Sequence, residues 1–332
     1  MFGIRSHPHA SIPGLEKEWK AMNSIEIAGL SKPCSQLIMG SMVFSPDDMD
    51  RCRSLLDAFV EAGGNAIDLA HIYNGGRSEL AVGKWLQDRE RDNLVIIDKG
   101  AHPHGNRNRV SAKDIASDLN ESLERLCVDT IDVYLLHRDD PAVPVGDILE
   151  ILNEHKSAGN IQVFGASNWT WQRIEEANEY AYAHGLVGFC CNSPNLSLAT
   201  ANEPRWPGCV TVDAETLAWH ERTRLPLLSW SSQAGGFFTG RYSQQSHEDA
   251  DMVRVYYNAK NWGRFDRATE LASAKGVDAN SIALAYVLNQ RFPSAAIIGP
   301  HSLAELQSSL VALDVQLSQE EIDWLLAGRQ VS

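Results

Sequence analysis

Eight short apolar runs, each of five to seven residues, constrain the fold of this sequence more than any other feature. Near-continuous apolar runs of this length are typical of strands that are buried on both faces, as in a parallel sheet. Longer amphipathic stretches separate the runs, so the chain alternates between the two kinds of segment. The runs are QLIMG (36–40), NAIDL (65–69), LVIIDK (94–99), IDVYLLH (131–137), VFGAS (163–167), GFCCN (188–192), PLLSW (226–230) and AAIIG (295–299).

The amphipathic stretches carry the start and stop residues of helices. Ser111 with Asp114 is a variant capping box at the start of 111–126, and Thr170 and Gly185 flank a second helix. Eight strand–helix units in 332 residues favour an α/β fold of the (β/α)8 TIM barrel type over a doubly wound sheet. Further helices are predicted at 47–62, 78–88, 145–158, 213–223, 264–275, 279–290 and 302–312.

The N-terminal segment and two long connections do not follow this alternation. Residues 1–24 show no clean period and are predicted to be an N-terminal tail or cap, while 25–332 are predicted to form one barrel domain. The stretches 199–212 and 243–263 are long for connections between elements. We expect both to be loops over the C-terminal face of the barrel.

The charge balance restricts the partners of the chain. The 29 Lys and Arg against 43 Asp and Glu give a net charge of −14, which argues against nucleic acid or an anionic membrane. Six cysteines without a CxxC motif are typical of reduced, mostly buried thiols. The first residues lack the apolar core of a signal peptide, and no run approaches membrane-spanning length. We expect a cytoplasmic protein; no feature indicates its oligomeric state.

Polar residues stand where three of the predicted strands end. Asp68, Lys99 and His137 end strands 2, 3 and 4, and Tyr73 follows shortly after the second. For each residue alone, a loop-capping or core hydrogen-bonding role is the better interpretation, but a barrel would bring all four to one mouth. Tyrosine is a poor acid at neutral pH, and a nearby ammonium lowers its pKa. Asp68 would keep Lys99 charged, and His137 would orient a carbonyl oxygen toward the phenol.

The motifs that contain these residues resemble those of the aldo-keto reductases, in the same order, from about residue 25 to 325. They are IDLAHIYNGGRSE, IIDKG, SLERLCVDTIDVYLLHRDDP, FGASNWT and WSSQAGGFFTGRY. The resemblance implies a barrel that binds NADP(H) or NAD(H) and reduces or forms a small-molecule carbonyl of an aldehyde, ketone or sugar type. It also implies that Tyr73 is the general acid/base, that Lys99 and Asp68 tune it, and that His137 positions the carbonyl.

The resemblance further implies a set of cofactor-binding residues. Ser167 and Asn168 match the pair that holds the nicotinamide carboxamide, and Trp230 matches the aromatic that stacks on the nicotinamide ring. The loop Ser231–Gly236 matches the segment along the pyrophosphate, and Arg241 matches a basic residue of that loop. The residues of the loop assigned to the cofactor are Ser231, Ser232, Gln233, Ala234 and Gly235.

The sequence departs from the family pattern in two places. Where a Gln normally ends strand 6, Asn192 is the candidate, and a register one residue along gives Ser193. The second departure is at the adenine end of the cofactor site, where the family normally has a Lys or Arg for the adenosine 2′-phosphate and a Glu-Asn pair. This chain has GPHSLAELQSSL (299–310) there. The carboxylate of residue 305 would repel such a phosphate. Ser302 and Glu305 also form a predicted capping box. NADP(H) is therefore only slightly preferred, and NAD(H) is the alternative. The residues assigned here are Gly299, His301, Glu305 and Ser309.

Other enzyme classes fit the sequence less well. No G-x-G occurs, which disfavours a Rossmann dinucleotide fold, and GGFFTGRY (235–242) has Arg-Tyr where a P-loop needs Lys-Ser/Thr. His102 and His104 form a His-x-His pair, but further ligands for zinc are not found at the other strand ends, so no metal site is assigned. We expect these two histidines to have a structural or loop role.

Two points of function stay open in the sequence. A regulatory or redox-sensing subunit on the same fold is the alternative to an enzyme, because such barrels keep the same four polar residues. Several aromatic residues are candidates to line the mouth and stack on a sugar or ring compound, although packing is the commoner use of loop aromatics. They are Trp169, Trp206, Tyr256, Tyr257 and Trp262.

Overall fold

The computed structural model describes residues 22–328, and this part of the chain contains ten β-strands. The strands are β1 (Ser24–Ile25), β2 (Cys34–Ser35), β3 (Leu37–Gly40), β4 (Ala66–Asp68), β5 (Val95–Gly100), β6 (Ile131–Leu136), β7 (Ile161–Ser167), β8 (Asn192–Ser193), β9 (Leu227–Ser229) and β10 (Ser294–Ile298). Strands β3 to β10 pair in parallel and close into an eight-stranded barrel, in which β10 lies between β9 and β3. The predicted (β/α)8 barrel is confirmed.

Eleven α-helices pack around the barrel in the described residues. They are α1 (Met49–Glu61), α2 (Arg77–Leu86), α3 (Ala112–Leu126), α4 (Val145–Ser157), α5 (Trp171–His184), α6 (Ala214–Thr223), α7 (Ala250–Tyr256), α8 (Ala259–Lys275), α9 (Ala279–Leu288), α10 (Leu303–Val311) and α11 (Gln319–Ala327). The helix α3 shows why they form. The Ser111 side chain accepts from the Asp114 amide, Ile115 and Leu119 are buried one turn apart, and Cys127 ends the helix in the left-handed conformation.

Alternation along the strands sorts side chains between the barrel interior and the helical layer. Val95 and Ile97 of β5 belong to the interior cluster, so Lys99, two residues further, points the same way at the carboxyl end. At the opposite end the antiparallel pair β1–β2 adds Ile25 and Cys34 to that cluster. This short hairpin was not predicted. The tail predicted for residues 1–24 lies almost entirely outside the described residues.

The structure differs from the predicted elements in three places. The stretch 243–263 is not a continuous loop, because α7 and the first turn of α8 lie within it. The side chain of Asp249 caps the start of α7, and that of Asn258 caps the start of α8. Helix α11 was not predicted; it is held to α8 by Arg267, which donates to the Leu325 carbonyl. Strand β8 covers only Asn192–Ser193 instead of 188–192.

Two helical glycines test how closely the helices pack. A β-carbon on Gly83 in α2 would lie against the carbonyl of Arg125, well inside contact distance, whereas one on Gly263 in α8 would meet only the end of the Arg267 side chain at 3.3 Å. We expect Gly83→Ala to lower the free energy of unfolding by about 1–3 kcal/mol because backbone must move. We expect Gly263→Ala to raise it by up to about 1 kcal/mol because alanine is the better helix former.

Urea unfolding of both variants beside the parent protein measures these differences. If Gly83→Ala were as stable as Gly263→Ala, the close approach of α2 to the end of α3 would be wrong.

Candidate active site

A cavity of about 1230 Å³ opens at the carboxyl ends of the barrel strands. Asp68, Tyr73, Lys99 and His137, the four residues predicted to form the catalytic set, all line it. So do most of the residues that were predicted to bind the cofactor: Ser167, Asn168, Trp230, Ser231, Ser232, Gln233, Gly235, Arg241, Gly299, His301, Glu305 and Ser309. Segments distant in sequence therefore meet at one mouth, as the barrel topology requires.

Lys99 is the centre of the polar contacts at the bottom of this cavity. Its buried ammonium donates to Asp68 Oδ1 at 2.6 Å, to the Leu69 carbonyl at 2.7 Å and to the Tyr73 hydroxyl at 3.2 Å. The three donors of the ammonium thus have three acceptors, two of them in or next to β4. The arrangement fixes the phenol of Tyr73 relative to β5.

Burial has the largest effect on the protonation of these groups. It disfavours the charged ammonium, but Asp68 and Tyr73 outweigh it and raise the pKa of Lys99 above its ordinary value. Burial also raises the pKa of Tyr73, and the opposing effect of Lys99 is smaller. Lys99 therefore lowers the pKa of the phenol as predicted, but burial outweighs it and the net pKa of Tyr73 is raised. At neutral pH the chain holds a protonated phenol next to a charged ammonium.

His137 lies beside Tyr73, with a T-shaped arrangement of rings and 5.8 Å between their centroids. Burial lowers the pKa of His137 well below its usual value, and the positive charges of Lys99 and Arg138 act in the same direction. Its Nδ1 is buried and has no hydrogen-bond partner within the described residues. The imidazole is therefore neutral at physiological pH and keeps hydrogen-bonding capacity for a molecule in the cavity.

Asn168 connects the other side of the mouth to the strands. Trp230 donates from Nε1 to Asn168 Oδ1 at 3.1 Å, and Asn168 Nδ2 donates to the Ser167 hydroxyl at 3.1 Å and to the His137 carbonyl at 3.3 Å. The Ser167 hydroxyl in turn donates to the Ser193 carbonyl at 2.9 Å. These bonds hold the Ser-Asn pair and the Trp230 ring in one rigid unit.

Positive backbone φ angles concentrate at the mouth. Of seven non-glycine residues with positive φ in the described chain, five follow barrel strands, namely Asn74, Ala101, Asn168, Ser231 and Ala234. Within the loop 231–236, Ser231, Ala234, Gly235 and Gly236 have φ between 48° and 83°, and Arg241 donates to the Gly235 carbonyl at 2.7 Å. These tight turns, closed by bonds from the Ala234 and Gly236 amides to the Ser231 and Gln233 carbonyls, bring backbone and a guanidinium to the cavity wall, where an anion such as the pyrophosphate of a dinucleotide could lie.

The far end of the cavity has an acidic character. The Glu305 amide donates to the Ser302 hydroxyl at 3.3 Å, which is one half of the predicted capping box, but the Glu305 carboxylate accepts from the His301 amide at 2.7 Å and not from the amide of the N-cap residue Ser302. Gln233 bridges the two walls by donating to Ser309 Oγ at 3.3 Å. A β-carbon on Gly299 would meet no atom within 4 Å, which leaves this position open to a ligand.

Two residues assigned to the cofactor do not line the cavity. Asn192 turns outward from β8, and its amide nitrogen lies 3.4 Å from Nε2 of the buried His220 of α6. Ser193, the alternative register, lies on the other side of the strand and faces the interior with an unpartnered buried hydroxyl. The assignment of Asn192 is therefore corrected. Ala234 is fully buried and shapes the loop from behind.

Arg138 and His102 are among the residues that line the cavity without having been predicted as site residues. Arg138 follows His137 directly and donates to its carbonyl at 2.8 Å; its position one residue past the apolar run 131–137 was the available sequence signal. His102 also lines the cavity, with its ring centroid 4.9 Å from that of His137. His104 of the same motif does not line it.

The structure shows which of the five candidate aromatic residues line the cavity and which pack elsewhere. Of the five, Trp206 lines the cavity, and its ring centroid lies 5.7 Å from that of Trp230. Tyr256 and Trp262 are buried beside Phe237 in a packed aromatic cluster. Four of the five aromatics therefore stand outside the cavity wall.

No group of three or more His, Cys, Asp or Glu side chains within residues 22–328 is arranged to hold a metal ion. No helix in this range has both the length and the apolar character needed to cross a bilayer.

Comparison with known proteins shows which family the chain belongs to. The sequence profile of the Aldo/keto reductase family matches residues 36–326. Norsolorinic acid reductase stcV of Emericella nidulans is 30% identical over 281 residues, which are 81% of this chain and 69% of that protein. A protein of Oryza sativa subsp. japonica described as a probable voltage-gated potassium channel subunit beta is 29% identical over 309 residues, 87% of this chain and 91% of that protein.

The fold has the same relatives. The crystal structure of an aldo-keto reductase from Klebsiella pneumoniae in complex with NADPH superposes with a TM-score of 0.70 at 21% identity, over 92% of this chain and 96% of that one. The chain belongs to the aldo-keto reductase family, and the resemblance noted in the sequence is confirmed. Family membership supports an oxidoreductase with a nicotinamide cofactor.

The buried ion pair generates a prediction about stability. Replacing Lys99 with Met leaves the Asp68 carboxyl buried without its cation, and we expect a loss of about 3–5 kcal/mol in the free energy of unfolding at pH 8. Because burial already raises the pKa of Asp68 and the variant raises it further, the carboxyl takes up a proton on acidification, and the loss should shrink toward pH 5.

The matched control is Asp88→Asn, which breaks the exposed pair with Arg53 and should cost less than about 1 kcal/mol at either pH. Urea unfolding at pH 5 and pH 8 measures both. A Lys99→Met loss no larger than that of the control would contradict the structural role of the pair.

Proposed function

We propose that this protein reduces a small-molecule carbonyl by hydride transfer from a nicotinamide cofactor, with Tyr73 as the general acid. The observation that carries the proposal is the buried hydrogen bond of 3.2 Å from Lys99 to the Tyr73 hydroxyl, beside a neutral His137 in the mouth of a dinucleotide-sized cavity. The same residues serve the reverse reaction, the oxidation of an alcohol, with Tyr73 as the base.

We assign the residues along the cavity to successive parts of the cofactor, from the nicotinamide to the pyrophosphate. The carboxamide is assigned to Ser167 and Asn168, which would exchange part of their bonds within the protein for bonds to it, and Trp230 offers the flat face for the nicotinamide ring. We assign the pyrophosphate to the tightly turned loop Ser231–Gly236, with Arg241 as its cation. When bound, the cofactor supplies the hydride that the side chains cannot.

The chain supplies the proton and the charge control. Tyr73 donates its proton to the carbonyl oxygen, and the phenolate that remains is stabilised by the ammonium of Lys99. Asp68 keeps that ammonium charged through the whole cycle. His137, held neutral by burial and by the surrounding cations, donates a hydrogen bond to the carbonyl oxygen and so directs it toward the phenol.

A second function has a specific observation in its favour. The rice relative, at 29% identity, is described as a potassium channel subunit, so a cofactor-binding regulatory or redox-sensing role on this fold is our alternative proposal. Turnover separates the two. Repeated cycles of cofactor oxidation with a panel of aldehydes support the enzyme, whereas one slow cycle followed by tightly held oxidised cofactor supports the sensor.

The role of Tyr73 is tested by removing its hydroxyl. We expect Tyr73→Phe to lower kcat for carbonyl reduction by about 10²–10⁴-fold, because the proton donor is lost while the ring is kept. Cofactor affinity, measured by quenching of tryptophan fluorescence, should stay within about twofold of the parent. Tyr182→Phe, at a tyrosine of α5 that is 91% exposed, is the matched control. Unchanged turnover in Tyr73→Phe would refute the assignment.

We propose NADP(H) as the cofactor, with NAD(H) close to it in affinity. The NADPH complex of the Klebsiella pneumoniae structure supports the first part. The carboxylate of Glu305 in the cavity wall, and the absence of Lys and Arg from residues 299–309, support the second, because an acidic wall does not favour an added phosphate.

Fluorescence titrations with NADPH and NADH in parallel test this preference. We expect less than about a tenfold advantage for NADPH in the parent, and Glu305→Gln should strengthen NADPH binding by about fivefold with little effect on NADH. Glutamine keeps the helix cap and removes only the charge. The control is Glu320→Gln in the first turn of α11. An unchanged NADPH/NADH ratio in Glu305→Gln would rule out the charge effect.

A further inference from the structure

Asn280 is a buried asparagine whose amide oxygen lacks a partner. It lies in the first turn of α9, lines the cavity and is 7% exposed. Its Oδ1 is buried and accepts no hydrogen bond from any residue within 22–328. An unpaired buried amide costs stability, and asparagine is also a poorer helix former than alanine. The position therefore disfavours asparagine unless a bound molecule pairs with its amide.

The first turn of α9 is tied to α10, the helix that closes the far end of the cavity. Asp278 Oδ1 accepts from the Ser281 amide at 2.6 Å, and Asp278 Oδ2 accepts from Ser308 Oγ at 3.1 Å. The Ser281 hydroxyl donates to the Ser308 carbonyl at 3.4 Å. Asn280 lies between Asp278 and Ser281 in the chain, so these bonds hold it at a fixed place beside α10.

Three neighbouring polar side chains that line this end of the cavity already have partners. Ser308 donates to Asp278, and Ser309 donates to the Glu305 carbonyl at 3.0 Å. The Glu305 carboxylate accepts from the amide of His301. Compared with Ser308, Ser309 and Glu305, Asn280 alone has an amide, which places an acceptor and a donor side by side.

The position of Asn280 follows the cofactor assignment made above. The nicotinamide is assigned to the Trp230 side of the mouth and the pyrophosphate to the loop Ser231–Gly236, which leaves the adenosine half for the cavity beyond this loop. Helix α9 packs against both the segment Ala234–Thr239 and α10. Asn280 therefore lies where the base of a dinucleotide would end.

We propose that Asn280 recognises the adenine base of the cofactor. This inference rests on the nicotinamide cofactor of the proposed function. The amide oxygen accepts from the 6-amino group, and the amide nitrogen donates to a neighbouring ring nitrogen, a two-bond pairing for which asparagine and adenine are complementary. Hypoxanthine carries an oxygen in place of that amino group and cannot donate there. The family pattern has a Glu-Asn pair in α10, where this chain has Ser308 and Ser309. Here the base is read from α9 instead.

Calorimetric titration with adenosine 5′-diphosphate (ADP) and inosine 5′-diphosphate (IDP) tests the inference, because neither nucleotide contains nicotinamide and IDP carries hypoxanthine. We expect the parent protein to bind ADP about tenfold more tightly than IDP. Asn280→Ala and Asn280→Leu, which has a side chain of similar size, should bind ADP about tenfold more weakly than the parent and no better than IDP. The control Asn120→Ala, at an exposed position of α3, should keep the preference of the parent.

Thermal unfolding without nucleotide distinguishes recognition from a structural role. Because the Asn280 amide oxygen has no partner in the described protein, Asn280→Ala should unfold at a temperature no lower than that of the parent. Asn120→Ala gives the effect of helix propensity alone. A clearly lower unfolding temperature for Asn280→Ala would make the amide a structural group and overturn the inference.

The remaining outcomes separate this inference from the function on which it rests. Equal binding of ADP and IDP to the parent, or a preference for ADP that survives in Asn280→Ala, would overturn the inference and leave carbonyl reduction intact. A preference for ADP that is lost in Asn280→Ala, in a protein that turns over no aldehyde, would support the inference and overturn the proposed reduction. Absence of binding of ADP, NADH and NADPH would overturn both.

Discussion

The bond between Lys99 and Asp68 is the interaction on which the rest of the mouth depends. An ammonium inside a barrel is tolerated only where acceptors replace its hydration, and here a carboxylate, a main-chain carbonyl and a phenol do so at 2.6–3.2 Å. These acceptors lie in β4 or in the segment that follows it. The bonds of Lys99 therefore also fix the position of the Tyr73 side chain relative to β5. The same contacts therefore serve the fold and the proposed proton transfer.

The barrel and most of its mouth were predictable because both depend on patterns that are local in sequence. Apolar runs separated by capped helices indicate parallel strands, and parallel strands in a barrel necessarily bring their carboxyl ends together. Asp68, Lys99 and His137 could be placed together at the mouth from that rule alone, while their roles were taken from the resemblance. Trp206 was included among the aromatic candidates, but only the structure distinguished it from the residues that pack in the core.

Other features depend on contacts that no local pattern contains. The direction in which Asn192 points follows from a single-residue register, and its partner His220 lies 28 residues away. The net pKa direction of Tyr73 depends on how much water the whole mouth excludes, which a sequence motif does not express. Helix α7 was taken for loop because it is short and polar, although Asp249 caps it in the usual way.

Arg138 has a consequence that extends beyond the contacts it makes. One guanidinium bonds both the strand end that carries His137 and the loop that carries Trp206. Sequence changes that reshape the ligand-facing loop therefore transmit strain to the carbonyl-orienting histidine. During divergence, gains in ligand range and losses in rate would arise together from the same substitutions, and compensating changes should accumulate around this arginine.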